Sequence, residues 1–174
     1  MDIKGEINQD VINTIAELMQ DVIGKKSVDV LYKRCLQNGN LSGKAFAYAF
    51  AEEAQNILGQ KGGYITLKEV GRNLAKKLMQ QNPQDQWDNI LKSAVNDFGF
   101  ASHIETQCDT ASICNCVFYD TLAEKKLQAT EHAICWLGWG LVEEFLKPLK
   151  NVKRIQWVNR DIEMKKCEFQ YLMT

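Results

Sequence analysis

The hydrophobic period of this chain changes at Gly99. Before it, apolar residues recur at the three-and-four spacing of helices. After it, Phe100, Ser102, Ile104 and Thr106 alternate with Ala101, His103 and Glu105, and Ile113 to Tyr119 alternates again beyond a polar turn. Helical side chains repeat every 3.6 residues and strand side chains every 2, so a change of period is a change of element. Two paired strands are expected there. A last long helix is expected over about Thr130 to Leu146, stopped by Lys147-Pro148, and then two more strands, Val152 to Asn159 and Lys166 to Leu172. Helices first, then hairpin, helix and hairpin, predict an α+β fold in which helices pack on a small antiparallel sheet of about four strands, not alternating βαβ units. With 174 residues, 45% of them hydrophobic, and two prolines, the chain is expected to form one domain over 1–174 that needs no disulfide staples.

The helical half divides at glycines. Ile7, Val11, Ile15, Leu18 and Val22, with Ile12, Met19 and Ile23 beside them, give a broad apolar face up to Gly24. A face this wide is either a core face or one completed by a second subunit, so residues 1–38 are a candidate dimer contact. A second helix is expected over Val28 to Leu36. A third, from Leu41 to Leu58, carries Phe46 and Phe50 among small residues that suit either tight helix packing or the lining of an apolar pocket. Gly59 and Gly62-Gly63 predict a break, and Thr66 with Glu69 reads as the capping box of the next helix. Asn82-Pro83 then opens a helix through Trp87, Leu91 and Val95 that closes at Gly99.

A formal charge of −1 and a pI near 6.1 leave no basic footprint for nucleic acid. The first residues lack the basic and apolar regions of a signal peptide, so the expected location is cytoplasmic and the thiols are expected to be reduced. Ala133 to Val142 is too short an apolar run to span a membrane, and it reads as a buried helix.

Six cysteines raise zinc before disulfides. If Cys114-Asn115-Cys116 lies in a strand, both sulfurs share a face that Phe118 continues, and Cys108 lies across the turn; three thiols fall short of the four ligands of a structural zinc site. No metal is expected. His103 and His132 have no nucleophile at a suggestive spacing and read as surface or capping residues. Glu52-Glu53 and Glu143-Glu144 read as solvated helix faces. No phosphate loop, dinucleotide fingerprint or zinc-protease pair occurs, and no catalytic residue is assigned. Trp136 and Trp139 sit three apart on the last helix with Gly138 and Gly140 interleaved. Helical glycines cost about 1 kcal/mol each relative to alanine, so either another backbone or a flat ligand is expected to approach closely there.

Asn115-Cys116-Val117-Phe118, then Ala133-Ile134-Cys135-Trp136-Leu137-Gly138-Trp139-Gly140-Leu141, then Lys166-Cys167-Glu168-Phe169 occur in an order and spacing that resemble the 4-vinyl reductase domain family, which is similar in fold to the small subunits of the TRAPP tethering complex. Gly39 to Glu53 and Phe98-Gly99-Phe100 extend the likeness, so it covers 39–174. The resemblance implies an apolar cavity between helices and sheet, often in a dimer, that serves ligand binding or sensing; some relatives are linked to chlorophyll or bacteriochlorophyll metabolism and to photosynthetic complexes. Zinc-binding relatives place ligands where this chain has Cys135 and Cys167, but the two intermediate positions are Gln156 and Asn159, so the likeness implies no metal there.

The expectation that results is a non-enzymatic protein. Its cavity, lined by Phe46, Phe50, Cys116, Phe118, Cys135, Trp136 and Trp139, would accept a tetrapyrrole, a lipid or another hydrophobic small molecule. It would act as a homodimer, as an accessory or assembly factor with a protein partner at a photosynthetic membrane. The alternatives are a dimeric interaction scaffold like the TRAPP subunits, and a tetrapyrrole vinyl reductase, for which the sequence shows no reductant site.

Overall fold

The computed structural model describes residues 7–39, 43–128, 130–161 and 163–174. Helix α1 (Gln9–Ile23) starts at Asn8, whose side-chain oxygen accepts the Val11 N–H at 3.0 Å and satisfies a donor that has no partner within the helix. The broad apolar face of α1 is buried within the chain, against α2 (Lys25–Gln37), α3 (Gly43–Leu58) and α4 (Gln60–Gln81). The expected start of the third helix at Leu41 lies outside the described residues.

The expected break at Gly62-Gly63 does not occur. Gly59 alone makes the turn, with φ of 77°, and α4 runs from Gln60, so Thr66 and Glu69 lie inside a helix and cap nothing. The reason is packing: a Cβ on Gly63 would stand 2.7 Å from the Gln55 Cα of α3, so this glycine admits a neighbouring helix and does not end its own. A short 3-10 turn, Gln84–Gln86, leads from Pro83 into α5 (Trp87–Asp97).

Strands β1 (His103–Thr106) and β2 (Thr110–Cys114) form the first hairpin. The second strand is earlier and shorter than its alternation predicts. Asn115 takes φ of 53° and ends it, and Phe118 leads into a short helix, α6 (Tyr119–Glu124), that the alternation of Cys116, Phe118 and their neighbours concealed. Cys114 and Cys116 therefore do not share a strand face. Cys108 sits in the turn at the opposite end of the hairpin from Cys114, so the three thiols do not converge.

The longest element of the second half is α7 (Ala133–Lys150). It passes through Pro148 to a left-handed Asn151, whose N–H bonds to the Lys147 carbonyl; a proline in the last turn interrupts only one ladder bond. Strands β3 (Val152–Asp161) and β4 (Lys166–Met173) complete an antiparallel sheet of order β1-β2-β4-β3. Ile104, Ile113 and Cys167 are in register on the inner, helix-facing side of the sheet, as is Phe169, whereas His103, Glu105, Ser112 and Cys114 face away.

α7 is the central element, with the sheet on one side and α4 on the other. The α4–α7 crossing is built on reciprocal notches: a Cβ on Gly71 would collide with the Leu137 carbonyl oxygen, and one on Gly140 with that of Lys68. Across the crossing, Glu143 is 1% exposed and accepts from Arg72 at 2.7 Å and from the Ile155 N–H at 3.1 Å, with the Lys68 ammonium at 3.3 Å. Glu143 is thus a buried tie between α4, α7 and β3, not part of a solvated face. Burial raises its pKa, but the Arg72 and Ile155 hydrogen bonds and the Lys68 charge outweigh that, so the carboxyl is held below its usual range.

Candidate functional site

The cavity lies between α7 and the inner face of the sheet, closed at one end by α6. Ile134, Cys135 and Gly138 of α7 form one wall; Ile113, Trp157, Cys167 and Phe169 form the other; Phe100, Cys116, Phe118 and Leu122 close the end. Its atom-free space is about 670 Å³, partly continuous with solvent, but only about 70 Å³ is wide enough to seat the centre of a water molecule. The cavity is therefore a narrow slot, smaller as it stands than the roughly 300–1,000 Å³ of small-molecule sites, and a ligand would have to part its walls.

Three thiols enter this slot from three different elements. Burial pushes Cys116 up to about 12 and Cys167 to about 11, with Cys135 adding to both shifts, and burial raises Cys135 itself. All three stay neutral at physiological pH and act as small apolar groups, not as nucleophiles.

One cation meets this lining. Arg160 donates to the backbone carbonyls of Leu127 and Tyr119, each at 3.1 Å, and its guanidinium carbon lies 4.4 Å from the centroid of the Tyr119 ring. These bonds use two of its five N–H groups, and among the described residues no carboxylate pairs with it. Trp157, also in the wall, has a buried Nε1–H with no acceptor among the described residues.

Strict alternation along β3 would not place both Trp157 and Arg160 on the inner face. A bulge between Trp157 and Asn159 does so, pairing Trp157 with Phe169 and Arg160 with Cys167, both inward residues. The same register turns Gln156 and Asn159 outward, opposite Gln170 and Glu168. A bulge has no signature in a pattern of apolar residues, which is why sequence reading passed over Arg160.

The seven expected lining residues do not surround one space. Cys116, Phe118 and Cys135 line the slot. Phe46 and Phe50 face a separate gap toward α1 and α4, beside Ile12, Ile15 and Leu67, and stack on each other at 6.0 Å. Trp136 and Trp139 border an outer groove, where Tyr64, Trp136 and Trp139 stack in sequence at 5.1 and 4.5 Å beneath the Lys68 ammonium, 4.6 Å from the Trp139 ring. Trp139 still touches the slot from behind, through its 5.7 Å contact with Phe169.

Both histidines are accounted for in the geometry. His132 caps α7, its Nδ1 accepting the Ile134 N–H at 3.2 Å, and it stacks on Tyr48 at 4.0 Å. His103 lies half-exposed on the outer sheet face. Among the described residues no helix is long and apolar enough to cross a membrane.

Comparison with protein-family models, with curated proteins and with solved structures finds no match. The likeness to the 4-vinyl reductase domain accordingly rests on the order of its motifs alone.

Proposed function

We propose that this protein is a non-enzymatic binding module for an amphiphile, with the apolar body of the ligand in the slot between α7 and the sheet and its acidic group on Arg160. The supporting observation is the pairing of an almost wholly apolar lining with one guanidinium that has no carboxylate partner among the described residues. A half-buried charge with unused donors is a recognition element for an anion, because the bond formed there is charge-assisted. The unpaired Trp157 N–H offers a second donor in the same wall.

A fatty acid and a tetrapyrrole with carboxylate side chains share this chemistry. The narrowness of the slot favours the acyl chain, which has to part the walls less than a macrocycle does. An accessory role beside a photosynthetic membrane, with a protein partner there, extends the proposal through the family resemblance only.

Native mass spectrometry and an absorption spectrum on gently purified protein test the reading. A colourless mass that is lost on denaturation identifies a lipid, and one with visible absorption a tetrapyrrole. Arg160→Met is expected to weaken a fluorescent fatty acid about 10- to 100-fold, the worth of one hydrogen bond to a charged group. If nothing co-purifies and neither a fluorescent fatty acid nor a porphyrin binds saturably, the proposal fails.

A further inference from the structure

On the sheet face turned away from the slot, three strands bring unlike ligand chemistries into one row. His103 of β1 pairs with Cys114 of β2, Cys114 pairs with Lys166 of β4, and Glu105 stands two residues from His103 on the same face. One ligand atom each from His103, Glu105 and Cys114 lie within 4.8 Å of one another.

Hydrogen bonds hold the side chains of this row in place. The Ser102 hydroxyl donates to the Cys114 carbonyl at 3.0 Å and accepts from the Asn115 side-chain amide at 3.1 Å. His103 Nδ1 lies 2.9 Å from the same hydroxyl, with the tautomer setting which of the two donates. His103 Nε2 is left facing Glu105 Oε1 at 3.2 Å. In the tautomer that carries its proton on Nδ1, Nε2 presents a lone pair beside the Glu105 oxygen, and a metal ion can be held by both. An imidazole held by its other nitrogen is the usual arrangement of a metal ligand.

The geometry points to a binding site for a zinc-class divalent ion at His103 Nε2, Glu105 Oε1 and Cys114 Sγ, with a water completing the tetrahedron. Mixed nitrogen, oxygen and sulfur donors suit zinc and cobalt and do not suit magnesium or calcium. Coordination breaks the Cys114 S–H bond, releases its proton to solvent and forms the sulfur–metal bond. The ion enters past His103 and Glu105, whose side chains are 48% and 40% exposed, to reach the buried thiol. Lys166 holds the second Glu105 oxygen at 2.8 Å, so its charge opposes the ion and limits affinity.

The test is cobalt titration of the reduced, chelator-stripped full chain. A near-ultraviolet thiolate-to-cobalt charge-transfer band saturating at one ion per chain is expected. Cys114→Ser should abolish the band although five other cysteines persist, and His103→Gln and Glu105→Gln should each weaken binding tenfold or more. Lys166→Met should tighten it. Absence of the band in the native protein, its survival in Cys114→Ser, or unchanged affinity in both exposed-site variants overturns the assignment. The two exposed-site variants decide the matter if Cys114→Ser does not fold. Because the row and the slot lie on opposite sheet faces, failure here leaves the amphiphile reading untouched.

Discussion

At the residue scale, His132 shows how burial converts an ordinary side chain into a pH-dependent element. Its imidazole is 1% exposed and its pKa is lowered to about 4, first by burial and then by the nearby Lys125 charge. The unfolded chain binds a proton near pH 6.5, and the folded chain refuses it until about pH 4. Through that window the unfolded state carries more protons, so stability falls as pH drops. The accumulated loss is on the order of 3 kcal/mol, at 1.36 kcal/mol per pKa unit. His132→Asn keeps a side chain able to cap α7 and removes the titration. Thermal midpoints measured from pH 7 to pH 4 should decline less steeply in the variant, and parallel curves would show that His132 does not carry the dependence. The sequence allowed His132 a capping role but gave no sign of its burial, because the covering Tyr48 ring is distant in the chain. Glu143 was misread for a similar reason: its partners Arg72 and Lys68 lie some seventy positions earlier, on another helix.

At the scale of elements, α7 carries two glycines that do different work, and the difference is measurable. The interleaving of Gly138 and Gly140 with Trp136 and Trp139 made a close approach legible, but periodicity could not name the approaching element. The structure assigns Gly140 to the α4 backbone, with Gly71 as its counterpart, and Gly138 to the wall of the slot, where an added Cβ would stand a comfortable 3.8 Å from Ile113. Gly140→Ala is therefore expected to cost about 3 kcal/mol or more, the upper end for overpacking, because the obstructing atom is backbone and cannot rotate aside. Gly138→Ala should instead stabilise by up to about 1 kcal/mol through helix propensity. Denaturant midpoints of the two variants test this contrast within one helix; equal losses would show that α7 packs differently. The order of helices and strands was readable from period alone. The β3 bulge and α6 were not, since each depends on one residue leaving the regular backbone, and with the bulge went Arg160.

At the scale of the whole molecule, the question is what a second copy could bury. The wide apolar face of α1, the sequence candidate for a dimer contact, is occupied by α2, α3 and α4 of its own chain. Among the apolar side chains that remain exposed, three flank the α3–α4 corner: Ile57 at 39%, Leu58 at 37%, and Ile65, in the second turn of α4, at 71%. Scattered exposed aliphatics are ordinary, but three flanking one helix junction provide a surface that a homodimer would bury and a monomer would leave wet. If the chain self-associates, this corner is the expected contact. Ile65→Glu should then shift sedimentation from dimer to monomer while leaving the thermal midpoint nearly unchanged, since a surface substitution alters stability by no more than about 0.5 kcal/mol. Val11→Asp, on the α1 face, should unfold the chain by burying an unpaired carboxylate. A dimer that survives Ile65→Glu would move the contact elsewhere. A native chain that sediments as a monomer at every concentration would leave the slot, not an interface between copies, as the feature around which this fold is organised.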